Sequence, residues 1–190
     1  TVLLAMPFAV TGALGTLFSN VTAATEGYAV GSAVSLHDAV PDSAVEYLAE
    51  GQTKVETFSF DVLDGNGGSV QRTVSVTVTG TNDAPVVAVA DVTGEVTELT
   101  TTPGTATLTD SGTITFTDVD LTDTHSIGAV TPTGTTLGSL SASVSTDTSA
   151  GTGGVVTWNY SVPASAVEYL GVNQTKVETF SFNVLDGKGG

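Results

Sequence analysis

Polar and apolar residues alternate along much of the chain, and the clearest example is the segment 70–79. One face of this segment carries four valines, interrupted only by Arg72: Val70, Val74, Val76 and Val78. The opposite face carries Gln, Thr and Ser. Because successive side chains of a β-strand point to opposite faces, this pattern predicts a strand with one buried and one solvated face.

A second alternating segment, residues 54–63, comes just before it and would turn Phe58, Phe60 and Val62 inward. The two segments are separated by the sequence DGNGG at 64–68, whose glycines accept positive φ angles. The pair therefore predicts an antiparallel hairpin.

The second half of the chain shows the same alternation, and little helix is expected anywhere. Further strands are predicted near residues 86–89, 96, 113–117, 125–130, 138–144 and 155–162. The last of them places four large residues on one face, which we expect to be buried: Val156, Trp158, Tyr160 and Val162. Ser43 and Glu46 form a capping-box pattern, which predicts one short helical turn.

One unit occurs twice in the chain. Residues 40–68 return at residues 162–190, a shift of 122 positions, with six differences among the 29 paired positions. Hydrophobic cores tolerate wide substitution, so identity this close indicates recent duplication of a repeat. We predict two domains: residues 1–81 are copy one, without its first strands, and residues 82–190 are copy two, without its last strand. An open sheet edge is expected where that last strand would pair.

About seven short strands per repeat, separated by turns, predict an all-β fold made of tandem Greek-key β-sandwiches of the immunoglobulin type. The junction between the two copies is placed at the sequence NDAP, residues 82–85, because proline stops the preceding strand from running on.

Composition excludes several classes of function. The chain has 20 acidic and 4 basic residues and a formal net charge of −16, so we expect neither nucleic-acid binding nor attachment to anionic membranes. The first ten residues are apolar but too short to span a bilayer. The sequence has no cysteine, which excludes disulfides, thiol catalysis and thiolate metal sites.

The densest group of acidic residues is Asp118, Asp120 and Asp123, three carboxylates within six positions. Like charges this close repel by about 1 kcal/mol per pair even in water, so a cation is expected to offset them. Ca²⁺ is the natural candidate because it takes six to eight oxygen ligands. A solvated acidic loop without metal is the alternative.

The predicted topology brings other oxygen ligands toward the same loop. In a seven-strand sandwich, the turn that carries Asp186 lies at the same end as this loop, next to the linker residues Asn82 and Asp83. The turn of the preceding copy, with Glu46 and Glu50, would face the same junction. We therefore predict that calcium binds at the boundary between the copies, without specifying the number of ions.

The repeat extends the prediction to two further junctions. Asp64 would serve the junction before copy one, and Glu168 would serve the junction after copy two. Each prediction has an alternative without metal, because Asp-Gly pairs suit hairpin turns, glutamate suits a helix cap, and Asn82 and Asp83 suit turn capping.

Several motifs of the second copy carry a family resemblance. The sequences NDAP at 82–85, FTDVDLTDTH at 116–125 and QTKVETFSFNVLDGKGG at 174–190 resemble the VCBS repeats of giant bacterial RTX-type adhesins. More distantly, they are similar to cadherin repeats, which hold calcium with a linker Asn-Asp, an Asp-x-Asp loop and a late Asp-Gly turn. Copy one opens without the acidic loop, so the resemblance is weaker for copy one than for copy two.

The resemblance implies a calcium-stiffened spacer of a large secreted protein on the bacterial cell surface, whose partners are adjacent repeats. Two alternatives stay open: a subunit of an extracellular filament that assembles by strand complementation, and a sandwich module that binds carbohydrate or protein. No enzyme is expected. His125 lies near aspartates in the sequence, but no Gly-x-Ser-x-Gly motif accompanies it.

Overall fold

The computed structural model describes residues 9–11, 14–21, 34–63 and 67–190. The chain divides into two compact units, residues 1–81 and 82–190. Among the described residues the secondary structure is β-strand with two short 3₁₀ turns, Asp42–Ala44 and Ala164–Ala166, and no α-helix. The predicted all-β class is therefore confirmed.

The described part of the first unit contains two sheets. Its strands are β1 (Ala9–Thr11), β2 (Thr16–Val21), β3 (Val34–Ala39), β4 (Thr53–Leu63) and β5 (Ser69–Thr79). Strands β1, β2 and β3 form an antiparallel sheet in that order, and β4 pairs with β5. The β4–β5 register runs through eleven residue pairs, from Thr53 opposite Thr79 to Leu63 opposite Ser69. The predicted hairpin is confirmed.

The second unit is built around one larger sheet. Its strands are β6 (Val86–Ala90), β7 (Thr107–Thr117), β8 (Ser126–Ile127), β9 (Thr131–Pro132), β10 (Ser139–Thr146), β11 (Gly154–Pro163), β12 (Phe180–Ser181) and β13 (Val184–Leu185). The larger sheet has the order β10-β11-β7-β6, and two short pairs, β12 with β9 and β13 with β8, accompany it.

The core of the second unit lies against β7 and β11. Phe116, Val156 and Trp158 are buried together with Ile114, and residues of β10, β13 and the 126–127 segment pack on them. Alternation places these side chains on one face of the sheet, as predicted for β11. Trp158 also donates a hydrogen bond from Nε1 to the carbonyl oxygen of Asp91, at 2.6 Å. The only Trp of the chain is therefore fixed inside the second unit.

Two local predictions are wrong. No strand forms around residue 96, because the Glu95 amide bonds to the Asp110 carboxylate, at 2.7 Å, in place of a ladder partner. The capping box at Ser43 does not form either. The 3₁₀ turn begins at Asp42, with Pro41 as its N-cap and no side-chain cap, so Ser43 lies inside the turn.

A buried carboxylate lies on the inward face of β4. The alternation that buries Phe58 also turns Glu56 inward, where it is only 5 % exposed. Its two carboxylate oxygens accept hydrogen bonds from consecutive backbone amides, those of Leu14 at 2.5 Å and Gly15 at 3.0 Å. One side chain thus fastens β4 to the segment that enters β2.

The second unit repeats this arrangement with Glu178, 122 positions later. Its carboxylate accepts hydrogen bonds from the amides of Leu137, at 2.6 Å, and Gly138, at 3.1 Å. The Tyr160 hydroxyl donates a third, at 3.0 Å. Burial raises the pKa of Glu178, but these three bonds outweigh it, so the pKa lies below its ordinary value. Burial and the nearby carboxylate together raise the pKa of Tyr160 to about 12.

We predict that Glu178→Gln lowers the free energy of unfolding of the second unit by about 1.5–3 kcal/mol. A Gln side chain has one acceptor oxygen and an NH₂ group, so one of the two amides loses its partner. Trp158 fluorescence during urea unfolding reports on this unit. The control is Glu168→Gln on an exposed position of the same unit. Equal stability of the two variants would contradict the assigned role.

Candidate metal centre

The loop after β7 buries its carboxylates and exposes its apolar residues. Asp118 and Asp120 are 1 % and 0 % exposed, whereas Val119 and Leu121 are nearly half exposed. The loop curls because Asp118 Oδ1 accepts the Asp120 amide at 2.9 Å, and the Asp123 amide donates to the Asp120 carbonyl at 3.2 Å. Burying charge while exposing hydrocarbon costs stability, so this inversion indicates a function beyond folding.

The first two residues of the second unit bond to this loop and to the last turn of the chain. The Asp83 amide donates to Asp120 Oδ2 at 2.8 Å. The Asn82 side chain donates from Nδ2 to Asp186 Oδ2 at 2.9 Å. The linker, the 118–123 loop and the Asp186 turn thus meet at one place in this unit, as the topology argument predicted.

Asp186 is held by the turn that it begins. The residue is 3 % exposed, and its carboxylate accepts hydrogen bonds from the backbone amides of Lys188, Gly189 and Gly190. Gly187 and Gly189 adopt positive φ angles of 77° and 123°, which aim these amides at the carboxylate. Burial raises the pKa of Asp186, but the bonds from Asn82 and the three amides outweigh it and lower the pKa to about 2. Asp186 is therefore ionised at neutral pH.

Three buried oxygens at this place have no hydrogen-bond partner within the described ranges: Asn82 Oδ1, Asp120 Oδ1 and Asp123 Oδ2. Burial, reinforced by the neighbouring carboxylates, raises the pKa of both Asp120 and Asp123. Buried polar atoms are almost always paired, so these oxygens need a donor or a cation. Hard oxygen atoms of this kind are the ligands that Ca²⁺ prefers.

We call Asn82, Asp83, Asp118, Asp120, Asp123 and Asp186 the acidic cluster. Across the described part of the chain, no three His, Asp or Glu side chains are arranged to hold a metal ion by themselves. A calcium site here would consequently combine single carboxylate oxygens with the Asn82 amide oxygen, backbone carbonyls and water, which Ca²⁺ accepts.

Four other predicted ligands stay predictions. Glu46 and Glu50 belong to the first unit, where both are exposed, and Glu168 is exposed in the second unit. Asp64 lies outside the described ranges, so its predicted role stays a prediction.

His125 sits between two carboxylates. Its Nε2 is 2.9 Å from Asp118 Oδ2, and its Nδ1 is 2.6 Å from Asp147 Oδ1. The ring also packs edge-on against Phe116, with centroids 4.8 Å apart. Because both ring nitrogens are engaged by aspartates, neither is left to activate a serine, which argues against a hydrolytic triad.

The charge state of His125 follows from this position. Burial lowers the pKa of His125, but the two carboxylate hydrogen bonds outweigh it and raise the pKa above its ordinary 6.5. Burial raises the pKa of Asp147, but the hydrogen bonds that its carboxylate accepts from His125 and Thr148 outweigh burial. The pKa of Asp147 therefore lies below its ordinary value. Sequence reasoning missed Asp147, because it lies 22 positions from its partner and in no motif.

Comparison with known proteins adds no assignment, because no protein-family model and no curated protein matches this chain. The VCBS resemblance of the motifs stays a prediction. Within the described ranges, no helix is long and apolar enough to cross a membrane.

We predict that the second unit loses stability as the pH rises from about 6 to 8 in chelator. The pKa of His125 in the folded state lies above its ordinary value of 6.5, so His125 contributes its full stabilisation below pH 6.5. That stabilisation is lost as the pH rises through the folded-state pKa. The slope is at most about 1.4 kcal/mol per pH unit. Urea unfolding, followed by Trp158 fluorescence, measures it.

The matched variant is His125→Gln, which keeps a polar side chain but cannot titrate. It should remove the slope between pH 6 and 8. NMR titration of the wild-type His125 ring provides a check that does not depend on how well the variant folds. A slope that persists in His125→Gln, or a ring pKa below 6.5, would show that the assignment is wrong.

Proposed function

We propose that this chain is part of a calcium-stiffened spacer, built from tandem repeats, in a large secreted protein of the bacterial surface. Three features support the proposal: a near-identical repeat, a strong excess of acidic residues, and motifs that resemble VCBS repeats. The observation that carries it is the group of three buried oxygens without partners in the acidic cluster.

In this proposal each repeat is a Greek-key β-sandwich of immunoglobulin or cadherin-like type. All the described strand pairs are antiparallel, and Val184 of β13 packs on the β7–β11 core, which agrees with such an arrangement. The role is mechanical, since a rod of such domains would project a distal part of the protein from the cell.

The residues of the acidic cluster have distinct parts in the proposal. Asp120, Asp123 and Asn82 would contribute the oxygens that lack partners, and Asp186, whose lowered pKa keeps it charged, would add negative charge at the site. The bound ion supplies positive charge that offsets the repulsion among these carboxylates. Asn82 and Asp83 begin the second unit, so an ion held there fixes the chain at the point where the two repeats join.

Without the ion, the chain's own groups offset part of this repulsion. His125 lies against Asp118, and Lys188 lowers the pKa of Asp123, although burial and neighbouring carboxylates raise it overall. Neither cation is paired with Asp120, whose Oδ2 accepts the Asp83 amide and whose Oδ1 has no partner within the described ranges. The metal-free unit is therefore expected to fold but with reduced stability.

The carbohydrate-binding alternative receives no support from Trp158 or Tyr160. Trp158 is buried at 5 % exposure, and Tyr160 is engaged with Glu178. Sheet faces that bind sugars commonly stack them on exposed aromatic rings, and the only Trp of the chain is not available for this.

We predict that Ca²⁺ raises the stability of the second unit by about 2.7 kcal/mol at a hundredfold excess over its Kd, which extracellular modules place at about 0.1–1 mM. Urea unfolding followed by Trp158 fluorescence, in Ca²⁺ and in chelator, measures the effect. Asp120→Asn should remove most of it. In solution scattering, the wild-type chain should become more extended or more uniform in Ca²⁺.

The control is Asp61→Asn. Asp61 is an exposed residue of β4, and the second repeat carries Asn183 at the same position, so the substitution is one that the repeat already accepts. This variant should keep the full calcium response. An unchanged unfolding midpoint in wild-type protein with and without Ca²⁺ would rule out the proposal.

A further inference from the structure

We propose that Asp118, His125 and Asp147 are positioning residues of the acidic cluster. They hold the partnerless oxygen of Asp120 in the direction of the ion and do not bind the ion themselves. The inference rests on the proposed function, because it concerns how the same calcium site is built. It replaces the predicted role of Asp118 as a ligand, and it gives a role to Asp147, which lies outside the acidic cluster.

Both carboxylate oxygens of Asp118 are bonded within the protein. Oδ1 accepts the backbone amide of Asp120 at 2.9 Å, and Oδ2 lies 2.9 Å from His125 Nε2. The side chain is 0 % exposed. It differs in this respect from Asn82, Asp120 and Asp123, each of which has one buried oxygen without a partner in the described part of the chain. Asp118 therefore bonds to its neighbours, and the oxygens left for a cation belong to other residues.

The Asp147 carboxylate holds His125 at two points. Its Oδ1 is 2.6 Å from the ring nitrogen Nδ1, and its Oδ2 accepts the His125 backbone amide at 3.1 Å. The same Oδ1 accepts the Thr148 amide at 2.8 Å, which fixes the carboxylate to its own loop. The ring also packs edge-on against Phe116. These contacts fix the orientation of the imidazole, so that Nε2 is directed at Asp118.

The contacts of Asp120 show what this series of bonds fixes. Its amide is bonded to Asp118, and its Oδ2 accepts the Asp83 amide at 2.8 Å. Its backbone carbonyl accepts the Asp123 amide at 3.2 Å. The backbone and one carboxylate oxygen of Asp120 are therefore held, so the remaining oxygen, Oδ1, has a defined position. Without the bond to Asp118, the peptide group between Val119 and Asp120 could rotate and displace that oxygen.

The hairpin loop between β10 and β11, residues 147–153, contacts the acidic loop at a second point. The Asp118 amide donates to the carbonyl oxygen of Gly151 at 3.1 Å. Gly151 adopts a φ of 78°, and a Cβ added there would lie 2.8 Å from the Asp118 carbonyl oxygen. This close approach therefore requires glycine. The hairpin loop thus supports the acidic loop through both its backbone and the Asp147 side chain.

Asp147 offers the cleanest test, because its side chain is 38 % exposed and lies at the far end of the series. Asp147→Asn removes the charge and turns an NH₂ group toward one of the donors that the carboxylate accepts. Asp147→Glu keeps the charge but moves the carboxylate by one methylene. Residues that hold metal ligands in place typically change metal affinity by about 10- to 100-fold when they are substituted. We therefore expect both variants of the full chain to raise the Kd for Ca²⁺ at least tenfold in isothermal titration calorimetry.

The control for general destabilisation is Glu178→Gln. This variant weakens the same unit at a carboxylate that bonds to Leu137, Gly138 and Tyr160 and takes no part in the series. Sites without shared partners are nearly additive, so its Kd for Ca²⁺ should stay within about twofold of the wild-type value. Trp158 fluorescence verifies first that each variant is folded.

A second measurement needs no calcium. In chelator, hydrogen exchange of the Asp120 amide, followed by NMR, reports on its bond to Asp118. Relative to the amides of β11 in the same sample, this exchange should be at least about tenfold faster in both Asp147 variants than in wild-type protein. In Glu178→Gln the ratio should stay unchanged, because loss of overall stability affects both sets of amides.

The calcium proposal and this inference fail in different ways. A wild-type chain that binds no Ca²⁺ would overturn both. If the wild-type chain binds Ca²⁺, unchanged Kd values in both Asp147 variants would overturn this inference alone. A raised Kd in Asp147→Asn but not in Asp147→Glu would also overturn it, because the effect would then be one of charge. So would an equal rise in Glu178→Gln, or a calcium complex in which Asp118 has left His125 and binds the ion.

Discussion

The second unit depends on one electrostatic constraint, the burial of several carboxylates at the place where the unit begins. Asp118, Asp120 and Asp186 are each at most 3 % exposed, although neighbouring apolar side chains remain in water. A different group forms a hydrogen bond with each carboxylate and offsets part of its charge. His125 does so for Asp118, backbone amides of the last turn for Asp186, and the Asp83 amide for Asp120. Three oxygens at this place are still left without partners, and we propose that a cation binds them.

The two repeats also show that pairing, more than local propensity, determines how much strand forms. The segment that makes an eleven-residue strand in the first unit makes only two short strands in the second, although the sequences are nearly identical. Strand propensity reflects packing against neighbours, so the same residues respond to the neighbour that is present. By contrast, one hydrogen-bonding arrangement is the same in both repeats: Glu56 and Glu178 each accept hydrogen bonds from two consecutive backbone amides within their own unit.

Features set by short-range alternation were predictable from the sequence. The β4–β5 hairpin and the buried face of β11 follow from period-two patterns. The contacts of Asn82 with Asp186 and of Asp83 with Asp120 agree with the expectation that the linker, the acidic loop and the last turn meet. The alternation even places Glu56 on the inward face of β4, a signal that sequence reasoning passed over. The contact between His125 and Asp147 could not be predicted from the sequence, because the two residues are 22 positions apart and their contact depends on the path of the chain after β10. The segment near residue 96 was wrongly predicted as a strand, because a side-chain carboxylate takes the place of a ladder partner there.

The central claim is that the partnerless oxygens of the acidic cluster bind Ca²⁺. A crystal structure of the chain grown in calcium, with anomalous scattering to identify the metal, tests this most directly. The account predicts an ion with six to eight oxygen ligands at about 2.3–2.6 Å, among them Asn82 Oδ1, Asp120 Oδ1 and Asp123 Oδ2. Those three oxygens bound only to water or to other protein groups, with no anomalous peak beside them, would contradict it.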